Sequence, residues 1–258
     1  MKTRRIWLIL ALCLLGAGVV LCIVAFTRLN FRFQDLRVAS YIINEHVIEE
    51  DFSDISIQGD IEDIEFVPAR DKDCTVLCYE DEKHLHSVHV EEGTLFIDQQ
   101  KPGRWQLGFF QDNPQITIAL PEKTYGNLSV ETETGDIRIP NLRFSNIALK
   151  LSTGELKLSA QTAGMIQIKT DTGDMLLKNC LADSLYAETD TGDVVFDQSD
   201  ANEIHVKTDT GDVSGSLLTA KVFTAITDTG DVDVPAETSG GICEIQTDTG
   251  DIRISIAD

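Results

Sequence analysis

The sequence predicts an all-β chain: a single-domain parallel β-solenoid, β-helix-like with 19-residue coils, behind one N-terminal transmembrane helix. Three observations carry this. Variants of Thr-Asp-Thr-Gly-Asp recur with glycines at Gly135, Gly154, Gly173, Gly192, Gly211, Gly230 and Gly250, at five intervals of 19 residues and one of 20. Apolar and polar residues alternate ahead of each glycine, the period-two pattern of a strand. Residues 6–26 form a run of 21 without a charge. A strict period of about 20 to 50 residues marks units too small to bury their own apolar face, which therefore stack on their neighbours.

The elements follow in chain order. Residues 1–5 are a short head bearing Lys2, Arg4 and Arg5. At about 1.5 Å per residue, the 6–26 run spans the roughly 30 Å hydrocarbon core. It exceeds the signal-peptide h-region of about 7 to 15 residues and is not followed by an Ala-x-Ala site, so an uncleaved anchor is the reading. Cys13 and Cys22 follow Leu12 and Leu21, where a lipoprotein signal would need a small residue. Arg28, Arg32 and Arg37 balance the basic head, so the positive-inside comparison is even. A short basic head before a long acidic body favours a single pass through the cell membrane with the C-terminal domain extracytoplasmic. Residues 27–44 read as a juxtamembrane linker.

Residues 45–130 are β-rich without the period and read as an irregular segment with an N-terminal cap. Alternation appears at Ile55/Ile57, Ile64/Phe66 and Ile116/Ile118, and 88–97 reads as a hairpin about Glu91-Glu92-Gly93. Residues 56–61, Ser-Ile-Gln-Gly-Asp-Ile, look like a degraded copy of the motif.

Residues 131–258 are the regular repeats. Seven and five residues before each glycine stand Leu128/Val130, Ile147/Leu149, Ile166/Ile168, Leu185/Ala187, Ile204/Val206, Phe223/Ala225 and Cys243/Ile245, the inward face. The same parity puts both motif threonines inside, as at Thr170 and Thr172, and a slip at the glycine turns Met175/Leu177 and Val194/Phe196 inward after it. Each strand is expected to pair in parallel with its counterpart one period later. The last coil, around 252–256, has no evident cap and would leave strand edges open.

The first 37 residues hold six of the 21 Lys and Arg and one of the 43 Asp and Glu, so the rest carries a net charge of −27. Nucleic acid and anionic lipid surfaces are poor partners for such a body. Cys74 and Cys78 lie about 13 Å apart along one strand, too far for a bridge within it. Cys180 and Cys243 occupy core columns, so packed thiols are expected.

Two acidic columns mark one edge, and the candidate residues are Asp171, Asp174, Asp190, Asp193, Asp209, Asp212, Asp228, Asp231, Asp248 and Asp251. Like charges about 4.8 Å apart repel by roughly 0.9 kcal/mol in water. Either turn amides hold the second aspartate of each motif, or divalent cations such as Ca²⁺, which prefer hard oxygen ligands, run along the edge. No other cofactor is indicated.

Asp-Thr-Gly is also the triplet of aspartic proteases, but five copies in register are explained by the repeat, and no catalytic residue is assigned. His84, His86 and His89 cluster among acids, with solvated histidines and a metal site as alternatives. The one basic and aromatic stretch, 101–110, offers Trp105, Phe109 and Phe110 as a contact surface or as a plug for the first coil.

With its anchor, irregular β segment and Thr-x-Thr-Gly-Asp repeats, the chain resembles the bacterial putative-adhesin family, envelope-associated β-solenoid domains of undefined function. Residues 151–155, Leu-Ser-Thr-Gly-Glu, depart most from the motif. The resemblance implies a cell-envelope role, sometimes linked to stress response. The function expected is a non-enzymatic, membrane-anchored binding or scaffold domain, with an envelope protein or surface ligand as partner. The alternatives are self-association through uncapped solenoid ends and an accessory part in an envelope-stress response.

Overall fold

A computed structural model of the chain describes residues 42–80, 85–100, 114–236 and 238–257, together with Gly18. The 1–5 head, the 6–26 run, nearly all of the 27–44 linker, His84, Trp105, Phe109 and Phe110 lie outside those residues. Among the described residues no helix is long and apolar enough to cross a membrane. Among the described residues from 42 onward, every regular element is a strand, β1 to β19.

Each coil of the repeat has two arms, one ahead of the motif glycine and one behind it. The leading arms are β8 (Thr124–Thr134), the second half of β9 (Ile137–Thr153), β11 (Met165–Thr172), β13 (Leu181–Thr191) and the second half of β14 (Val194–Thr210). They pair in parallel at steps of 19 residues, Leu128 to Ile147, Ile147 to Ile166, Ile166 to Leu185 and Leu185 to Ile204. The trailing arms, the first half of β9, β10 (Leu156–Thr162), β12 (Met175–Lys178) and the first half of β14, do the same. Alternate side chains enter one continuous core that contains Ile147, Ile166, Leu185, Ile204, Leu177 and Phe196.

Chain order and stacking order part company at both ends. The expected succession of one coil upon the next stops after Gly211. The C-terminal coil, β18 (Gly241–Thr249) and β19 (Ile252–Ile256), inserts between the coil of β14 and β15 (Val213–Leu217) and the coil of β16 (Lys221–Thr229) and β17 (Val232–Asp233). Ile252 therefore pairs with Val213 on one side and with Val232 on the other. This corrects the expectation that 252–256 is the open end. The free edge belongs to β16 and β17, where Val222, Ile226 and Val232 are exposed.

The N-terminal end repeats the device. The coil of β2 (Asp54–Gln58) and β3 (Asp63–Pro68) lies between the β8–β9 coil and an outer one made of β6 (Thr94–Gln99) and β7 (Gln115–Leu120). Antiparallel strands then cover that outer coil: β5 (His86–Glu91) on β6, β4 (Cys74–Glu80) on β7, and β1 (Ile42–Ile48) on β4. The β5–β6 hairpin turns at Glu92 and Gly93, both with positive φ, as the sequence indicates.

The threonine expectation needs correcting. Thr132, Thr170, Thr189, Thr208 and Thr247 are buried, whereas the second threonine of each motif, such as Thr172, is exposed. Parity therefore slips before the glycine. Thr208 and Thr247 donate their hydroxyls to glycine carbonyls of the neighbouring coil, Gly192 at 3.4 Å and Gly211 at 3.2 Å, as the half-buried Thr227 does to Gly250 at 2.9 Å, whereas the Thr170 and Thr189 hydroxyls have no partner among the described residues. The slip needs a residue such as Gly192, at φ 150°, where a Cβ would stand 2.1 Å from the Gly173 carbonyl oxygen. Only glycine tolerates both the dihedral and the approach.

Candidate functional site

The acidic edge is a ladder of carboxylates bonded to amides one coil away. Asp174 Oδ1 accepts the Asp193 amide at 2.9 Å, Asp193 Oδ1 the Asp212 amide at 2.8 Å, Asp212 Oδ1 the Asp251 amide at 2.7 Å, and Asp251 Oδ1 the Asp231 amide at 2.7 Å. A second run takes Asp63 Oδ1 to the Asp136 amide and Asp136 Oδ1 to the Glu155 amide. These are acceptor bonds between coils, not the local turn bonds expected. The departure at Glu155 marks a break between the runs, because the longer side chain turns outward to Lys157 Nζ at 2.9 Å.

At two rungs the other carboxylate oxygen meets an arginine two residues on: Asp136 to Arg138 at 2.8 Å and Asp251 to Arg253 at 2.6 Å. The Asp231 amide bond holds the Asp251 carboxyl below its ordinary range; burial opposes it, and the Arg253 charge adds a smaller lowering effect. In the outer column Asp171, Asp190, Asp228 and Asp248 are exposed, while Asp209 is half-buried with Lys207 Nζ at 3.4 Å.

One surface of the leading arms presents Gln167, Tyr186, His205, Glu244 and Thr224 as a row, each in register with the next. The Tyr186 and His205 rings stack at 4.9 Å with 2° between their planes. His205 also lies 2.8 Å from Glu203 and 3.1 Å from Glu244. Sequence reasoning passed over this row, although it is the column six residues before each glycine and its ring-bearing members are visible there.

The histidines separate. His89 faces outward and stacks on Phe96, whereas His86 turns inward. His86 Nδ1 lies 3.0 Å from Glu80 Oε1, and Nε2 lies 3.3 Å from Glu62 Oε1, with all three side chains at most 1% exposed. Glu62 holds the place of the motif glycine in the β2–β3 coil, its carbonyl oxygen meeting Gly135 as Gly135 meets Gly154. Burial pushes the Glu62 carboxyl up, but the His86 and Asp60 hydrogen bonds outweigh it and the carboxyl titrates low. Burial pushes His86 down, but Glu62 and Glu80 outweigh it and raise it. All four described cysteines are free and buried. Burial pushes Cys74, Cys78 and Cys243 up to about 12 and Cys180 up to about 11.

This geometry defines a β-solenoid domain that offers ordered side-chain rows and an acid-lined edge. Residues 52–258 match the family model described as Toastrack DUF4097, and the chain belongs to that family, the putative adhesins of unknown function. No curated protein matches it. Among solved structures, a putative adhesin from Bacteroides fragilis NCTC 9343 aligns over 84% of this chain and 97% of its own, with 19% identity and a TM-score of 0.53, which supports the fold. A putative cell adhesion protein from Clostridium sporogenes ATCC 15579 aligns over 84% and 100%, with 14% identity and a TM-score of 0.43. A putative adhesin from Parabacteroides distasonis ATCC 8503 aligns over 84% and 98%, with 13% identity and a TM-score of 0.47.

Proposed function

We propose that the protein is a non-enzymatic binding or scaffold domain, held at the cell membrane by the 6–26 run and displayed outside it, which engages an envelope protein or surface ligand through a solenoid face. The observation that carries the reading is the Gln167–Tyr186–His205–Glu244–Thr224 row. Rigid parallel pairing fixes the spacing of its side chains, so the row is ordered before any partner arrives and little entropy is lost on contact. Stacked rings beside carboxylates present both an apolar plane and hydrogen-bond acceptors, the mixed character of recognition surfaces.

Capture of envelope partners by the wild-type chain and by Tyr186→Ala/His205→Ala tests this. The reading expects a specific partner that the double variant loses. Protease digestion of intact cells tests the topology, and protection of the 42–258 body on the cytoplasmic side would remove the reading.

Ca²⁺ along the acidic edge is a subsidiary proposal, supported by the carboxylate oxygens left over after the amide ladder is made. A melting midpoint unmoved by millimolar Ca²⁺ would discard it. Self-association is the second reading, favoured by the apolar exposure of Val222 and Ile226 on the free β16 edge. The nearby Asp228, Asp231 and Asp233 oppose it by charge. Sedimentation showing one monomeric species at all concentrations would dismiss it.

A further inference from the structure

We infer that Cys78, Glu80 and His86 form a site for one divalent transition-metal ion of the zinc class, with Glu62 as the carboxylate that orients the histidine. The inference stands apart from the binding reading above and concerns the opposite end of the stack.

The donor atoms converge. One ligand atom each from Cys78, Glu80 and His86 lies within 4.8 Å of the others, and all three residues are buried. His86 Nδ1 and Glu80 Oε1 stand 3.0 Å apart, close to the roughly 3.3 Å between two ligands on a tetrahedral ion with bonds of about 2.0 to 2.1 Å. Thiolate, imidazole and carboxylate together suit zinc rather than calcium or magnesium. The second ring nitrogen faces Glu62 Oε1 at 3.3 Å, the carboxylate–histidine arrangement that fixes the ring and tautomer of metal-ligating histidines. Glu62 is itself held by the Asp60 and Ile61 amides at 2.7 and 3.0 Å.

The cluster is also dry and incompletely hydrogen-bonded. Among the described residues, the Gln99 amide nitrogen is buried without a hydrogen-bond partner and stands directly opposite His86 in the β5–β6 ladder, while the buried His86 Nε2 has only Glu62 Oε1, at 3.3 Å, to face. Two carboxylates face the one imidazole in a dry setting, where a charge without close partners is costly, and a bound dication would be a close partner for Glu80. Burial, and after it the charges of Glu80 and Glu62, push the Cys78 thiol up to about 12. When the ion enters, the Cys78 thiol proton and one His86 ring proton leave to solvent. The dication replaces two protons, so the net charge of the cluster does not change. The ion would join β4 and β5 to the coil that carries Glu62, closing that end of the solenoid.

The test uses the purified full-length chain in detergent. After dialysis against metal-free buffer, one zinc per chain is expected by elemental analysis. Titration of the stripped chain with Co²⁺ is expected to give a thiolate-to-metal charge-transfer band and the intense visible absorption of a four-coordinate ion. Cys78→Ser should abolish the charge-transfer band, Cys74→Ser should keep it, and Glu62→Gln should weaken zinc binding about 10- to 100-fold. A wild-type chain that takes up no stoichiometric zinc or Co²⁺ overturns the inference, as does a charge-transfer band that survives Cys78→Ser. If Cys78→Ser fails to fold, Glu62→Gln, which keeps an acceptor for the two amides, carries the comparison, and unchanged zinc affinity in it overturns the assigned role of Glu62.

Discussion

Gly211 donates its amide to the carbonyl of Thr249 at 2.9 Å, while its four counterparts from Gly135 to Gly192 each bond the threonine 18 residues ahead. By that rule the partner would be Thr229, and Thr229 instead receives the amide of Gly250. The last coil of the chain is thus hydrogen-bonded along both edges. A C-terminus that would otherwise fray at a free edge is clamped between two ladders, and the penultimate coil takes the exposed position.

The glycine column should be intolerant of any side chain. In Gly192→Ala the new Cβ would meet the Gly173 carbonyl oxygen at 2.1 Å with φ near 150°. Coils must separate or the dihedral must change, and a loss of about 3 kcal/mol is expected from urea denaturation.

The carboxylate ladder separates hydrogen bonding from charge. Asp193→Asn keeps an acceptor for the Asp212 amide and removes one member of a like-charged column, so stability at low salt should be unchanged or higher. Asp193→Ala orphans that amide and should lose about 1 kcal/mol. Equal losses in the two variants would contradict the ladder.

Asp251 gives a pH dependence of known sign. Its carboxyl is depressed by the Asp231 amide and then by Arg253. A depressed carboxylate stabilises the fold above its unfolded pKa, and the contribution is lost as pH falls through the folded value. The stability difference between wild type and Asp251→Ala should therefore be full at neutral pH and shrink below about pH 4. Denaturation at both pH values checks it.

Lys221 is buried with Nζ 2.5 Å from Asp200 Oδ1, the side chains being 2% and 12% exposed. Removing one partner of a buried pair leaves the other charge uncompensated, so Lys221→Ala should lose about 3 kcal/mol. The double variant Lys221→Met/Asp200→Leu should recover much of it, as calorimetry would show.

The repeated coils were readable because period and alternation are local: the strand on either side of Gly173 needs only its own residues to show which side chains turn inward. The second threonines were misjudged because Thr172 has the right parity and lacks only the space that the glycine corner takes away. Nothing local distinguishes the 241–256 coil from its siblings except one extra residue between Gly230 and Gly250, so its insertion beside β14 could not be read from spacing. Glu62 was hidden for a related reason. The motif copy at 56–61 drew attention to Gly59, which in three dimensions sits beside Thr132, while Glu62 takes the glycine place. The outward row at Tyr186 and His205 was legible as a column but carried no apolar period to draw notice.

The insertion of the C-terminal coil is tested most directly by paired cysteines on the outer face. Lys207 is in register with Gln246, and Gln246 with Ile226. Neighbouring coils stand about 4.8 Å apart, within disulfide range, and alternate coils about twice that, beyond it. Lys207→Cys/Gln246→Cys should therefore cross-link on mild oxidation, and Lys207→Cys/Ile226→Cys should not. A cross-link between 207 and 226 with none between 207 and 246 would show coils stacked in simple chain order and contradict the topology described.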